Sequence, residues 1–192
     1  MVTVRNTRQD VVAAAGRLFA ENGYHGTSMR DLGRELGLLG SSLYAHVDSK
    51  QDLLVEVVEE GARLFQASAD AALATEGSAA NKLHRLIAGH VGVVVDNPDV
   101  VRTYLNEARM LDPEHRGRVI AARDGYEQAF RRVIALGSSD GSLRPDADPK
   151  LGSIFLLSIL NAIERWYHPE GEVGVTELVD EVSEFALGAL RP

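Results

Sequence analysis

The 192-residue sequence predicts an all-α protein of about nine helices. Apolar residues recur at spacings of three and four along most of the chain, which is the period of one helix face. No window alternates apolar and polar residues as a half-buried strand would. Glycine, proline and short polar residues interrupt the apolar pattern at helical lengths, which indicates helix ends rather than strand turns.

The first 50 residues predict three short helices. The first covers about residues 7–21 and stops at Gly23, because glycine accepts the left-handed conformation of a helix end. Ser28, with Asp31 three positions later, forms a variant of the capping box and starts the second helix. The third begins near Gly40, after a tight glycine-containing turn. Two short helices joined in this way form a helix-turn-helix unit.

The rest of the chain predicts longer helices joined by short loops. Ser49 opens a long helix, and Asp112-Pro113 and Pro149 open two others, because proline suits the first helical turn. Thr176 caps the last helix. A loop is expected at SSDGSLRPDADP, which is rich in turn residues. The predicted helices cover about residues 50–74, 78–97, 98–105, 113–136, 149–167 and 176–190.

Composition limits the classes of protein. The absence of cysteine excludes disulfides, thiolate zinc sites and a cysteine nucleophile. The first residues carry no apolar signal region, and no apolar run reaches the roughly 18 residues of a membrane span. We therefore expect a soluble, cytoplasmic protein.

The net charge of -8 argues against a nucleic-acid partner, but it is unevenly spread. Residues 1–50 hold six basic and five acidic residues, a charge of +1, which leaves -9 for residues 51–192. Such asymmetry indicates different partners for the two parts. The chain is therefore predicted to have an N-terminal domain at 1–50 and a second domain at 51–192.

The N-terminal part contains AAAGRLFAENGYHGTSMRDLGRELG, followed by SLYAHVDSKQDLL. From Val11 to Leu54 this resembles the DNA-binding domain of TetR-family transcriptional regulators, whose pattern is LF-x-x-x-G-Y, TS, an apolar helix, glycine, L-Y-x-H and S-K-x-x-L. The resemblance implies a homodimer that binds an operator and responds to a ligand in its C-terminal domain. Leu39 departs from it, since serine or threonine commonly caps the recognition helix there. The missing cap costs about 1 kcal/mol.

In a helix-turn-helix, the second helix enters the major groove and its first residues meet base edges. The small side chains available for base contact, Gly40, Ser41, Ser42 and Ala45, offer few hydrogen bonds. The match to family positions implies phosphate contacts by Ser28, Tyr44, His46 and Lys50, and a position for Arg30 from which it can reach the DNA. Tyr44 could instead be a half-buried core aromatic, His46 a capping or surface histidine, and the two serines plain turn residues. The candidate DNA-binding residues are Ser28, Arg30, Gly40, Ser41, Ser42, Tyr44, Ala45, His46 and Lys50.

Dimerisation has independent support in the helix that begins at Pro149. It is apolar over most of its circumference, so it must be buried on all sides. In a domain this small, one side can be covered by a partner chain, and a two-fold interface is the commonest arrangement. A central core helix in a monomer is the alternative. The candidate dimer-interface residues are Phe155, Leu156, Ile159, Ile163, Val182, Phe185 and Leu190.

The stretches NEARMLDPEHRGRVIAARDGYEQAF and W-Y-x-P-x-G are similar to TetR regulators that sense acyl-CoA thioesters. This implies an apolar pocket with a few polar groups and cations for phosphate. The alternative for each arginine is a solvated or ion-paired surface residue. Trp166 and Tyr167 could be a plug packed on the last helix. The acidity of this part leaves a neutral hydrophobic effector as the competing class. The candidate ligand residues are Phe65, Val91, Tyr104, Arg109, Met110, Arg123, Tyr126, Phe130 and Asn161.

No enzyme motif is found in the sequence. The six histidines are scattered without metal-ligand spacing, and GxSxG, a phosphate-binding glycine loop and a dinucleotide fingerprint are missing. We expect no cofactor and no metal. The sequence thus predicts a dimeric, ligand-responsive DNA-binding regulator, most simply a repressor. The alternative is a helical dimeric interaction or ligand-binding module that does not bind DNA.

Overall fold

The computed structural model describes residues 7–38, 43–45 and 47–191, and this part of the chain contains helices and no strand. The all-α prediction is confirmed. A short 3-10 turn at Ala108–Met110 follows α5. The α-helices are α1 (Arg8–Gly26), α2 (Met29–Leu36), α3 (Lys50–Leu73), α4 (Ala79–Asp96), α5 (Pro98–Asn106), α6 (Pro113–Asp140), α7 (Pro149–Trp166) and α8 (Val175–Leu190).

The capping residues that sequence reasoning identified begin and end the second helix. The Ser28 side chain accepts a hydrogen bond from the backbone N–H of Asp31, and the Asp31 carboxylate accepts one from the Ser28 backbone. Gly37 ends α2 in the left-handed conformation, with φ 64°. Most of the predicted third helix, at residues 39–42 and 46, lies outside the described residues.

Three helix boundaries differ from the sequence prediction. Helix α1 is broken at Gly23 (φ 74°), as expected, but resumes for one more turn to Gly26. Helix α6 continues past Gly137 to Asp140, because this glycine makes room for packing: a Cβ on it would lie 2.4 Å from the Leu143 side chain. Helix α8 starts after Gly174, so Thr176 lies inside the first turn and is not the cap.

The chain divides into two compact units. Unit one comprises residues 1–62 and 99–120, and unit two comprises residues 63–98 and 121–192. Unit one therefore takes residues from two separate stretches of the chain. The functional boundary near residue 50 remains a prediction.

Apolar faces of the helices form the core of unit one. Helix α1 packs on α2. A Cβ on Gly61 would lie only 2.7 Å from the Cβ of Tyr104, so α3 and α5 are in close backbone contact there. The buried apolar residues of this unit include Val11, Ala15, Phe19, Leu32, Leu43, Leu53, Leu54, Val58 and Val101.

In unit two, α4 packs on both α7 and α8. Helix α7 turns one face toward this core, where Leu160 and Ile163 are fully buried. Other buried residues of the unit include Phe65, Leu83, Leu86, Ile87, Val91, Phe130, Ile134 and Leu143. Across the described residues, every helix is too short or too polar to cross a membrane.

Candidate functional sites

The described DNA-binding candidates of unit one lie at its surface, with one exception. Ser28, Arg30, Tyr44 and Ala45 are exposed. Tyr44 exposes 56% of its surface, so it points mainly to solvent rather than into the core. Lys50 is half-buried. The candidates Gly40, Ser41, Ser42 and His46 lie outside the described residues.

Ser28 and Asp31 shape the N-terminal end of α2. The Ser28 hydroxyl donates to the Asp31 carboxylate at 2.5 Å and accepts from the Asp31 backbone N–H at 3.2 Å. The hydrogen bond from the Ser28 hydroxyl holds the pKa of Asp31 below its usual range. Asp31 is therefore ionised and already accepts the Ser28 backbone N–H, a donor that a phosphate could otherwise use. To bind phosphate, Ser28 must rotate its hydroxyl away from Asp31.

Most basic side chains of α1 and α2 are paired with carboxylates. Arg17 lies 3.3 Å from Glu35, and Arg34 lies 3.3 Å from Asp31. Arg8 forms an ion pair with Glu56. Arg30, by contrast, is exposed and lies within ion-pair distance of no carboxylate among the described residues. The positive charge available to DNA on these two helices is therefore small.

Lys50 points into unit one. Its Nζ donates to the backbone carbonyls of Tyr24 and Thr27, each at 2.8 Å. The same ammonium lies 4.1 Å from the centre of the Tyr24 ring, in cation–π geometry. These contacts hold the last turn of α1 against the first turn of α3.

Aromatic side chains form a buried cluster in unit two. The Phe65 ring centre lies 4.7 Å from that of His90 and 5.4 Å from that of Tyr126, which in turn lies 5.4 Å from Phe130. Together with the buried Val91, these residues include four of the predicted ligand candidates. Half-buried Arg123 and Asn161 belong to the same unit.

Sequence reasoning missed His90, which lies in this cluster. Its Nδ1 is 3.1 Å from the Tyr126 hydroxyl, and its Nε2 has no partner in hydrogen-bond geometry among the described residues. Burial lowers the pKa of His90 to about 3, while the backbone of Leu160 opposes this shift. The ring is therefore neutral near pH 7. The signal in the sequence was the position of His90 within an apolar helix face, next to Val91.

The other three ligand candidates belong to unit one. Tyr104 is buried against Gly61, Met110 is half-buried and Arg109 is exposed. The Met110 carbonyl accepts a hydrogen bond from Gln51 at 3.3 Å. The predicted ligand set is thus divided between the two units.

Helix α7 has a second apolar face, which points outward. Phe155 exposes 64% of its surface, and Leu151 and Ile159 are also exposed. Trp166 exposes 53% and continues this stripe at helical spacing, so it is not a buried plug. Phe185 of α8 exposes 65%.

The apolar side chains of α7 and α8 line a groove of about 230 Å³, with Arg144, Asp146 and Asp148 at its edge. Five members of the predicted interface set line it, namely Phe155, Leu156, Ile159, Phe185 and Leu190. Leu156, Ile163 and Leu190 are buried within their own chain, and Val182 is half-buried.

Comparison with known proteins matches both parts of the chain. Residues 11–57 match the model of bacterial regulatory proteins of the tetR family. Residues 76–190, more than half of the chain, match that of the tetracyclin repressor-like C-terminal domain. The HTH-type transcriptional repressor KstR2 of Rhodococcus jostii (strain RHA1) is 26% identical over 191 residues, covering 95% of this chain and 90% of the relative.

Two solved structures share the fold. The ketosteroid transcriptional regulator KstR2 of Mycobacterium tuberculosis has a TM-score of 0.91 at 23% identity, covering 99% of this chain and 97% of that one. AibR in complex with isovaleryl coenzyme A and operator DNA has a TM-score of 0.83 at 23% identity, covering 96% of this chain and 98% of that one.

Proposed function

We propose a function for this chain from the fact that it belongs to the tetR family of bacterial regulatory proteins. Its matched relatives are transcriptional regulators and not enzymes, and the KstR2 relative is a repressor. The proposed function is that of a homodimeric repressor that binds a palindromic operator and leaves it when a small hydrophobic effector binds. The observation that carries it is the family match at 11–57, together with exposed Ser28, Arg30 and Tyr44 in the same segment.

The proposed dimer interface is the outward face of α7 with Phe185 of α8. Phe155 and Phe185 each expose nearly two thirds of their surface, and such large apolar patches mark interaction sites. A second copy of the chain is the proposed occupant, since a two-fold interface lets the same stripe contact itself. Leu156 and Ile163 support the interface from within, because they anchor α7 to its own core.

In the proposed mechanism, the free dimer presents two recognition helices about one DNA turn apart, roughly 34–36 Å. An effector that binds better to a dimer with another spacing shifts the population toward that state. DNA affinity then falls by the difference in effector affinity between the two states.

The proposed effector has an apolar body and is an acyl-CoA thioester. The aromatic cluster of unit two supports the apolar part, and neutral His90 offers a hydrogen bond to an uncharged oxygen. AibR, with the same fold, binds isovaleryl coenzyme A. The net charge of residues 51–192 opposes a polyphosphate, so a neutral hydrophobic molecule is the second candidate.

The first experiment selects duplexes from a random-sequence pool with the full-length protein. We expect enrichment of a palindrome, and we expect Tyr44→Ala to weaken binding to all duplexes alike, as loss of a phosphate contact would. Arg132→Gln, which removes an exposed charge of unit two, is the control and should bind normally. A pool without enrichment would favour the module that does not bind DNA.

The second experiment measures melting temperature and operator release with isovaleryl-CoA, hexanoyl-CoA, hexanoic acid and androstenedione. Acyl-CoA should raise the melting temperature by mass action and release the DNA. If only androstenedione does so, the effector is a neutral hydrophobic molecule. Release by hexanoic acid alone would contradict both classes.

A further inference from the structure

Helix α1 breaks just before the chain turns into α2. Gly23 has φ 74° and ψ 164°, which takes the following backbone out of the helical path. The N–H of Tyr24 therefore needs an acceptor from another segment, because a buried donor without a partner is costly. Only Ser28 and three other residues separate Tyr24 from the start of α2.

Glu107, which follows α5, supplies that acceptor. Its Oε2 accepts the Tyr24 backbone N–H at 3.1 Å, and its Oε1 lies 3.7 Å from the position that a Cβ on Gly23 would occupy. The carboxylate therefore sits directly against the break in α1. A hydrogen bond to an ionised acceptor is stronger than one between neutral groups.

Lys50 holds the opposite side of the same residue. Its ammonium donates to the Tyr24 carbonyl and to the Thr27 carbonyl, both at 2.8 Å, and covers the Tyr24 ring. A cation is favoured here, since these carbonyls end a helix. The Lys50 ammonium thus makes these hydrogen bonds and this ring contact inside unit one.

Gln51 completes the arrangement. The Tyr24 hydroxyl donates to Gln51 Oε1 at 2.8 Å, and Gln51 Nε2 donates to the Met110 carbonyl at 3.3 Å. Burial raises the pKa of Tyr24, so its hydroxyl keeps the proton it donates. Side chains from α3 and from the 99–120 segment therefore hold every polar group of Tyr24.

We propose that Lys50 and Glu107 are positioning residues for DNA binding: they clamp Tyr24 from opposite sides and thereby fix the direction in which α1 leads into α2. This role takes the place of the phosphate contact that the family resemblance implies for Lys50. The inference rests on the proposed function, since it assumes that α2 and the segment after it bind DNA. Together, Tyr24, Lys50, Gln51 and Glu107 form the Tyr24 clamp.

Salt dependence of DNA binding separates the two roles of Lys50. Each phosphate contact contributes about 0.9 to the slope of log affinity against log salt. Lys50→Met keeps the length of the side chain and removes its charge. We expect about tenfold weaker binding to the selected palindrome with an unchanged slope between roughly 50 and 200 mM salt. A slope reduced by about 1.8, which is about 0.9 for each of the two Lys50 side chains of the dimer, would overturn the proposal.

Glu107→Gln gives a second, independent arm. Glu107 is negative, so the loss of its charge alone would favour binding to a polyanion. The clamp predicts the opposite, namely several-fold weaker DNA binding. It also predicts faster hydrogen exchange at the Tyr24 amide. Glu114→Gln is the matched control, because it removes an exposed carboxylate from the same segment. Equal affinity of Glu107→Gln and Glu114→Gln would reject the clamp.

A purely structural role would lower the melting temperature and leave the DNA affinity of the folded protein unchanged, so both are measured for each variant. If Lys50→Met does not fold, Glu107→Gln decides alone. Failure of the wild-type protein to enrich any duplex refutes the proposed function. Enrichment by the wild type, followed by a lower salt slope in Lys50→Met, refutes the clamp only.

Discussion

The two units use their side chains in opposite ways. In unit one, cations that could have met DNA are held by the protein itself: Arg17 by Glu35, and Lys50 by backbone carbonyls. In unit two, apolar side chains that could have joined the core point outward, led by Phe155 and Phe185. Residue type alone therefore does not say which surface binds a polar or an apolar partner. For the proposed regulator, DNA affinity therefore depends on the two DNA-binding domains of a dimer rather than on the positive charge of one domain.

The largest expected effect concerns the inner face of α7. Leu160→Ala should lower the free energy of unfolding by about 2–5 kcal/mol, because it leaves a cavity in a fully buried site. Denaturant unfolding at fixed protein concentration measures this loss, and light scattering should still give a dimeric mass. A loss of dimer without a loss of stability would mean that the two faces of α7 have been assigned in reverse.

At the proposed interface, Phe185→Glu in α8 should weaken dimerisation and leave the fold of the single chain unchanged. A charge in the proposed apolar interface is expected to weaken dimerisation by roughly 2 kcal/mol or more, about thirtyfold. Sedimentation over a concentration series measures the dissociation constant, while the helical content stays the same. Glu184→Gln, at an exposed neighbouring position, is the control. Should Phe185→Glu remain as dimeric as the control, this face is not the interface.

A smaller effect is expected from His90 as the pH changes. In the folded protein burial lowers its pKa to about 3, whereas an unfolded chain titrates near 6.5. Below about pH 6.5 the unfolded chain binds a proton that the folded protein does not, so stability decreases as pH falls from 6.5 toward 3. This contribution amounts to about 1 kcal/mol between pH 7 and pH 5.5.

Comparison with His90→Phe isolates this contribution from the other titrating groups. The stability difference between the wild type and the variant should change by that amount over the same pH range. Unfolding curves at four or five pH values are sufficient. A constant difference would mean that His90 titrates in the folded protein as it does in the unfolded chain, and so is not buried.

The smallest effect tests the internal pairing of charge in unit one. Glu35→Gln removes the partner of Arg17 and one negative charge. Affinity for nonspecific DNA should rise about two- to threefold at low salt, and the gain should disappear at high salt, where exposed charges are screened. Filter binding at two salt concentrations detects it. An unchanged affinity would place Arg17 away from the DNA-binding surface.

Local rules were sufficient to predict the fold. Helix starts followed from caps such as Ser28 with Asp31, and the break at Gly23 from a glycine at positive φ. Boundaries failed where tertiary packing decides the residue type: Gly137 lies inside α6, and its lack of a side chain leaves room for Leu143. The sequence around Gly137 does not show that the Leu143 side chain packs against it.

The candidate sites were harder to predict for the same reason. The sequence shows that α7 is apolar around its circumference, but only the packing of α4 separates buried Ile163 from exposed Ile159. The contact between Glu107 and Tyr24 joins residues 83 positions apart. Spacing rules describe neighbours along a helix, so they could not find this pair.

The division of unit one into two stretches of chain limits how the molecule can be recombined. A graft of residues 1–50 onto another sensor would leave behind Glu107 and Thr103, whose hydroxyl donates to the Gly16 carbonyl at 3.2 Å. A chimera with a single junction near residue 50 therefore has a DNA-binding domain that lacks Glu107 and Thr103. A working transplant needs two pieces, residues 1–62 and 99–120, and a designer of new biosensors should exchange them together.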